Sequence, residues 1–271
     1  MNEFYKKCAK IISVINMKTI GFIGCGNMAQ PIIRNCAEKN VFDKNNIYVY
    51  DIDRVKLAEF CQKIEVNTAA DENEIALKCD VVVLCTKPQV FPELLEKINA
   101  SLRENNPLII SIAAGKTTGW ISSLLGYDAR VARIFPNLNA TVGAAVSAYT
   151  GNENVSEGEI EAVGRICLSY GEAKRLDESL FPVFGVLGGC VPAYAFMFIG
   201  ALAKAGVADG LDEETARDVA VQAVLGSAML LKECGGDTDE WVKKVCSPGG
   251  TTIEGVNSFR ESNLDEIVRT A

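Results

Sequence analysis

One stretch, residues 18–29, restricts the folds open to this chain more than any other. It reads KTIGFIGCGNMA. Ile20, Phe22 and Ile23 form a short apolar run of strand type, and Gly24, Gly26 and Ala29 fall at G-x-G-x-x-A spacing, with Asn27 and Met28 between the last two. A helical pattern follows through Ile32, Ile33 and Cys36. Strand, tight glycine turn and helix, in that order, are what a dinucleotide pyrophosphate needs. The first glycine permits the turn. The second lets backbone N–H groups approach the phosphates, and a small third residue lets helix and strand pack closely. The helix N-terminus then offers its unpaired donors to the anion.

Composition narrows the partners. The chain has 271 residues, 48% of them hydrophobic and 23% charged, enough for one large domain or two ordinary ones. A net charge of −8 argues against a nucleic-acid partner and against an anionic membrane surface. The 10 cysteines form no C-x-x-C pair, and there is no histidine, so no zinc or other metal site is expected. The simple reading is reduced thiols in a cytoplasmic protein. Without an imidazole, a Ser-His-Asp triad is impossible. Residues 1–16 precede the first strand as an extension. Their apolar patch, 11–15, is shorter than the ~7–15 residues of a secretory core. No apolar run approaches the ~18–20 residues of a membrane span.

Asn46 to Asp51 reads as a second strand ending in an acid, 22 residues after Ala29. That is near the ~20 expected for the carboxylate that accepts both ribose hydroxyls. Asp51 can also be read as a helix cap, although Asp53 is placed for that task. Arg54 can hold a 2′-phosphate where Asp51 repels one, and the balance leans to NADH. Apolar runs at 80–85, 108–112, 130–135 and 145–149 then alternate with helical patterns to about residue 170, which argues for a doubly wound parallel α/β sheet. Ligands of such sheets bind beyond the carboxyl ends of the strands. The candidate tips are residues 24–29; Thr86, Lys87 and Pro88; Ala113, Ala114 and Gly115; and Pro136 and Asn137. Ordinary turn chemistry explains most of these, but a turn does not require Lys87.

From residue 178 the pattern is helical. Residues 187–206 are apolar nearly all round, and such a helix has to be buried on all sides. A tail of ~90 residues can hardly do that alone, so an interlocking second subunit is expected, with packing against the first domain as the alternative. The expected division is an extension at 1–16, a dinucleotide-binding domain at 17–177 and a helical dimerisation and substrate domain at 178–271. Within the tail, Ser247, Pro248, Gly249, Gly250, Thr251 and Thr252 interrupt two helical stretches and read as a small anion cradle, or else as a capped helix–helix turn.

At this point the residues resemble the pyrroline-5-carboxylate reductase family. The most specific match is CSPGGTTI at 246–253, supported by GFIGCGNM, TKPQ at 86–89, IAAG at 112–115 and GVADGL at 206–211. The resemblance covers nearly all of 17–271. It implies a Rossmann domain followed by a helical dimerisation domain, with dimers assembling further into decamers. It also implies hydride transfer from NADPH or NADH to the imine carbon of 1-pyrroline-5-carboxylate, the atom that becomes C5 of L-proline. By matching positions, the cofactor contacts are Gly24, Gly26, Asn27, Met28, Ala29, Asp51, Arg54, Thr86, Lys87, Pro88, Ala113, Ala114 and Asn137. The substrate contacts are Glu178, Ser247, Gly249, Gly250, Thr251 and Thr252, with Thr252 the catalytic hydrogen-bond partner of the ring nitrogen. The chain departs from the family pattern at Leu138-Asn139 and at Cys190-Val191. Three readings stand at this stage: a reductase of this imine or of another cyclic one, a β-hydroxyacid-dehydrogenase-like enzyme, and a dinucleotide sensor. Lys204 lies too near the end of its helix to serve the second, and the 247–252 cradle argues against the third.

Overall fold

The computed structural model describes residues 17–271. These form two compact units, which divide between Tyr194 and Ala195.

The first unit is built on one sheet. Its strands are β1 (Ile20–Ile23), β2 (Ile47–Tyr50), β3 (Asn67–Thr68), β4 (Val81–Leu84), β5 (Leu108–Ser111), β6 (Val131–Phe135), β7 (Ala145–Gly151) and β8 (Gly171–Arg175). Their spatial order is β3-β2-β1-β4-β5-β6-β7-β8. All neighbouring pairs are parallel except β6 and β7. This is the doubly wound order, in which the order of strand addition reverses between β1 and β4.

Six helices connect the strands: α1 (Ala29–Glu38), α2 (Arg54–Ile64), α3 (Glu72–Lys78), α4 (Phe91–Asn105), α5 (Thr118–Leu125) and α6 (Glu157–Ser169). The period of two along each strand sorts the core into two layers. Phe22, Val49, Val81, Val83 and Ile110 point to one layer, with Ile33, Leu57 and Val163 of α1, α2 and α6. Ile23, Val82, Leu84 and Ile109 point to the other, with Ile75, Leu95 and Ile121 of α3, α4 and α5. Covered on both sides, β1, β4 and β5 are buried at every residue, which is why they read as continuous apolar runs.

After β8 a long helix begins. It comprises α7 (Phe181–Phe184), a π-helical segment (Gly185–Cys190) and α8 (Val191–Ala208). One expectation is corrected here. The continuous helical stretch Glu178–Ala208 has 31 residues and contains an 18-residue window of mean hydropathy 1.9, long and apolar enough by length and composition to cross a membrane. Gly185, Gly188, Gly189 and Pro192 break the apolar run in the sequence. They do not break the helix: a π-helical segment spans Gly185–Cys190, and the Gly188 carbonyl, four residues before Pro192, is taken up by the Asn137 side chain.

The second unit continues with α9 (Glu213–Cys234), α10 (Thr238–Val245), α11 (Thr251–Glu261) and α12 (Leu264–Thr270). Asp212 and Asp237 cap α9 and α10 by accepting N–H bonds from Thr215 and from Asp239 and Glu240. Between residues 195 and 271, only Ala216 and Ala220 are buried.

Candidate functional site

The tips of β1, β4, β5 and β6 share the C-terminal edge of the sheet, so the four predicted tips lie along one edge. At the first tip, the Gly24 N–H donates to the Tyr50 carbonyl at 2.7 Å, closing the turn onto β2. Gly24 has φ +105°, and a Cβ there would lie 2.9 Å from the Cys85 carbonyl carbon. Only glycine fits both constraints. Gly26 differs: a Cβ there would meet nothing within 4 Å. The fold therefore leaves open space beside the Gly26 backbone.

The helix that follows is also prepared for an anion. α2, α3, α5 and α6 are capped by the side chains of Asp53, Asp71, Thr117 and Ser156. α1 starts after Met28 with no side-chain cap and no acid in its first turn. Its first two N–H groups, those of Ala29 and Gln30, donate to the Gly26 carbonyl at 3.0 Å, which leaves the turn before them, at 26–28, as the source of donors for a phosphate. Cys25, between the two glycines, is inert. Burial, then the neighbouring Cys61 and Asp51, push its thiol up to about 12.

Asp51 stands at the tip of β2. Its Oδ2 accepts the Cys25 N–H at 2.6 Å, and its Oδ1 accepts the Asp53 N–H at 2.9 Å. At the β4 tip the Thr86 hydroxyl is buried with no hydrogen-bond partner, while Lys87 is exposed and precedes the 3₁₀ turn Pro88–Val90. Ala113 is buried and Ala114 exposed at the β5 tip. An uncapped helix start, an open glycine and an orphaned hydroxyl on one sheet edge fit a dinucleotide.

Asn137 is 5% exposed. Its Nδ2 donates to the Gly188 carbonyl at 2.7 Å, and its oxygen accepts the Asn139 N–H at 3.2 Å. It thus ties the β6 tip to the π segment, and both departures from the family pattern adjoin this tie. Phe135 meets Phe184 edge-on beside it, with ring centroids 6.0 Å apart.

Glu178 is engaged on both oxygens. Oε1 accepts from the Thr118 N–H and from Arg133 Nη1, each at 3.0 Å, and Oε2 accepts from the Thr118 hydroxyl at 2.8 Å. Arg133 is 4% exposed and lies 4.6 Å from the Phe181 ring centre. A buried guanidinium needs such a partner. Arg133 and Thr118 were missed as partners of Glu178. The one available signal was an arginine inside an apolar strand.

In the second unit, α11 also begins without a side-chain cap, at Gly250. Gly249 has φ +71°, a conformation that favours glycine, and a Cβ on Gly250 would lie 2.4 Å from Ser247 Oγ, so the Ser247 hydroxyl would have to turn away. The Gly250 N–H donates to the Ser247 carbonyl at 3.0 Å. Ser247, Thr251 and Thr252 are exposed.

The fold and this edge define a dinucleotide-dependent oxidoreductase of the Rossmann type with a helical C-terminal region. Comparison with known proteins is more specific. Residues 178–271 match the family model for pyrroline-5-carboxylate reductase dimerisation. Residues 19–115 match a model described as NADP oxidoreductase, coenzyme F420-dependent. The chain is 39% identical over 256 residues to a pyrroline-5-carboxylate reductase of Aquifex aeolicus, with 94% of each chain covered. Among solved structures it resembles a pyrroline-5-carboxylate reductase from Coxiella burnetii (TM-score 0.88, 33% identity, 94% of each chain). It also resembles a Plasmodium falciparum pyrroline carboxylate reductase with NADP bound (TM-score 0.84, 27% identity, 94% of each chain). The chain belongs to the pyrroline-5-carboxylate reductase family.

Proposed function

We propose that this chain reduces the cyclic imine 1-pyrroline-5-carboxylate to L-proline, the last step of proline biosynthesis, with NADPH or NADH as reductant. The observation that carries the reading is the open, uncapped start of α1 in a member of this family. When bound, the reduced nicotinamide would supply a hydride to the imine carbon, C2 of the pyrroline ring, which becomes C5 of proline.

Gly24, Gly26, Asn27, Met28 and Ala29 form the turn that binds the pyrophosphate, with the N–H groups of Gly26, Asn27 and Met28 as donors, since those of Gly24 and Ala29 are bonded to the Tyr50 and Gly26 carbonyls. Asp51 accepts the ribose hydroxyls. Thr86, Lys87, Pro88, Ala113, Ala114 and Asn137 line the remaining length of the cofactor. In the tail, the 247–252 turn holds the substrate carboxylate with the N–H groups around Gly249 and Gly250 and the hydroxyls of Ser247 and Thr251. Thr252 hydrogen-bonds the ring nitrogen. That nitrogen collects its proton from water or a hydroxyl, so the absence of histidine is no obstacle. Glu178 contacts substrate only through lone pairs left by Thr118 and Arg133. Catalysis is then mainly proximity and orientation in a water-poor site.

The chain works as a homo-oligomer, with a dimer built by residues 178–271 and pentamers of dimers as the further assembly. The match to a dimerisation model and the exposed apolar tail support this. We keep the domain division at 177/178, which the start of that match supports, although the compact units of the structure divide later, between Tyr194 and Ala195. We assign the protein to the cytoplasm, away from membranes and nucleic acid, in keeping with its net charge of −8 and the free thiols among its described cysteines. The test is oxidation of NADH or NADPH on addition of 1-pyrroline-5-carboxylate, with L-proline as the product. Tight coenzyme binding without turnover would overturn the reading.

A further inference from the structure

Arg54 is the one residue of the β2–α2 corner whose chemistry is made for a 2′-phosphate, and the structure uses it elsewhere. Its Nη1 donates to the Ala69 carbonyl at 2.9 Å, and its Nη2 donates to the Ala70 carbonyl. The guanidinium also lies over the Tyr50 ring, 4.5 Å from the centroid. Two hydrogen bonds and a cation–π contact hold it against the end of β3. Lys56, the other cation of the corner, faces Asp53 Oδ2 at 3.4 Å.

The carboxylates are arranged in the opposite sense. Each oxygen of Asp51 accepts one backbone N–H, from Cys25 and from Asp53. That fixes the group at the mouth of the glycine turn and leaves each oxygen further lone-pair capacity. Two neighbouring ribose hydroxyls match that pair of acceptors, whereas a 2′-phosphate would meet a like charge with no donor in return. Asp53 and Asp71, which cap α2 and α3, add negative charge to the same corner.

We infer that this chain prefers NADH, that Asp51 sets the preference, and that Arg54 is a positioning residue for the corner and does not bind phosphate. The inference rests on the reading of the β1–β2 edge as the cofactor site. It departs from the NADP printed for the matching domain model and for the Plasmodium relative.

The full chain, in its assembled form, is titrated with NADH and with NADPH by nicotinamide fluorescence in the absence of substrate. NADH should bind about tenfold or more tightly than NADPH. Asp51→Ser should weaken NADH and close that gap. Asp51→Asn, which keeps most of the hydrogen bonding, controls for damage to the turn and should also narrow the gap. Arg54→Gln should raise KM for both coenzymes together, with kcat and their ratio unchanged. Equal or tighter NADPH binding by the unsubstituted protein would overturn the inference, as would a selective loss of NADPH in Arg54→Gln. A preference for NADH in binding, with neither coenzyme oxidised when 1-pyrroline-5-carboxylate is added, would support the inference while sinking the proposed reaction.

Discussion

In the α/β unit the large apolar side chains are inside, and Phe22, Ile33, Leu95 and Ile110 have no exposed surface. In residues 195–271 they are outside: Phe196 is 61% exposed and Met197 74%, and Leu225, Met229 and Leu230 are exposed as well. Both regions are well-formed secondary structure. They differ in where the apolar surface finds a partner. The sheet closes its own core between two helical layers. The tail puts an apolar surface on a single chain, an arrangement that suits a second copy of the same chain. Stability of the first region is therefore a property of the chain, and stability of the second a property of the assembly.

Substitutions in the two regions should separate these sources of stability. The largest effect is expected in the first. Phe22→Ala leaves a cavity between β1 and α1 and should lower stability by about 3–5 kcal/mol, by the same amount at every protein concentration in a denaturant titration. A concentration-dependent loss would mean that the two regions are not independent in this sense. Met197→Glu places a charge on the exposed apolar face. It should weaken self-association about 100-fold, read by sedimentation, with the α/β unit still folded by far-UV circular dichroism. An unchanged sedimentation coefficient at low concentration would remove Met197 from the interface.

Two further tests bear on the glycine turns that precede α1 and α11, one in each region. Thr252→Ala should lower kcat/KM about 10–100-fold with no change in coenzyme affinity; full activity would refute the role given to that hydroxyl. Gly26→Ala should change stability by less than about 0.5 kcal/mol, because a Cβ meets no protein atom. It should nevertheless weaken coenzyme binding about tenfold. Gly24→Ala is the contrast. Positive φ and the Cys85 backbone make it a folding defect, of about 1–3 kcal/mol.

The same contrast explains what was legible in the sequence. β1, β4 and β5 announced themselves because a strand covered on both faces is apolar at every position. β8, GEAKR, was missed because an edge strand has one face in water and carries charge. Two-residue β3 has no pattern to read. The glycine turn and Asp51 were readable from spacing, since a short loop and the strand order fix their geometry. The hydrogen bonds of Glu178 and Asn137 were not. They join residues 45 to 60 positions apart in one case and 51 in the other, and no local periodicity encodes such a pairing. The apolar helix was legible over 187–206, but its earlier turns from Glu178 were not, because Pro182 and Gly185 weaken the helical pattern there.

The central claim is that this chain moves a hydride from a nicotinamide to the imine carbon of a five-membered ring acid. Its most direct test is turnover of 1-pyrroline-5-carboxylate with a reduced coenzyme deuterated at the transferring position of C4, followed by mass and NMR analysis of the product. The account predicts L-proline carrying one deuterium at C5. Recovery of unreacted imine, or of proline without deuterium at C5, would contradict it.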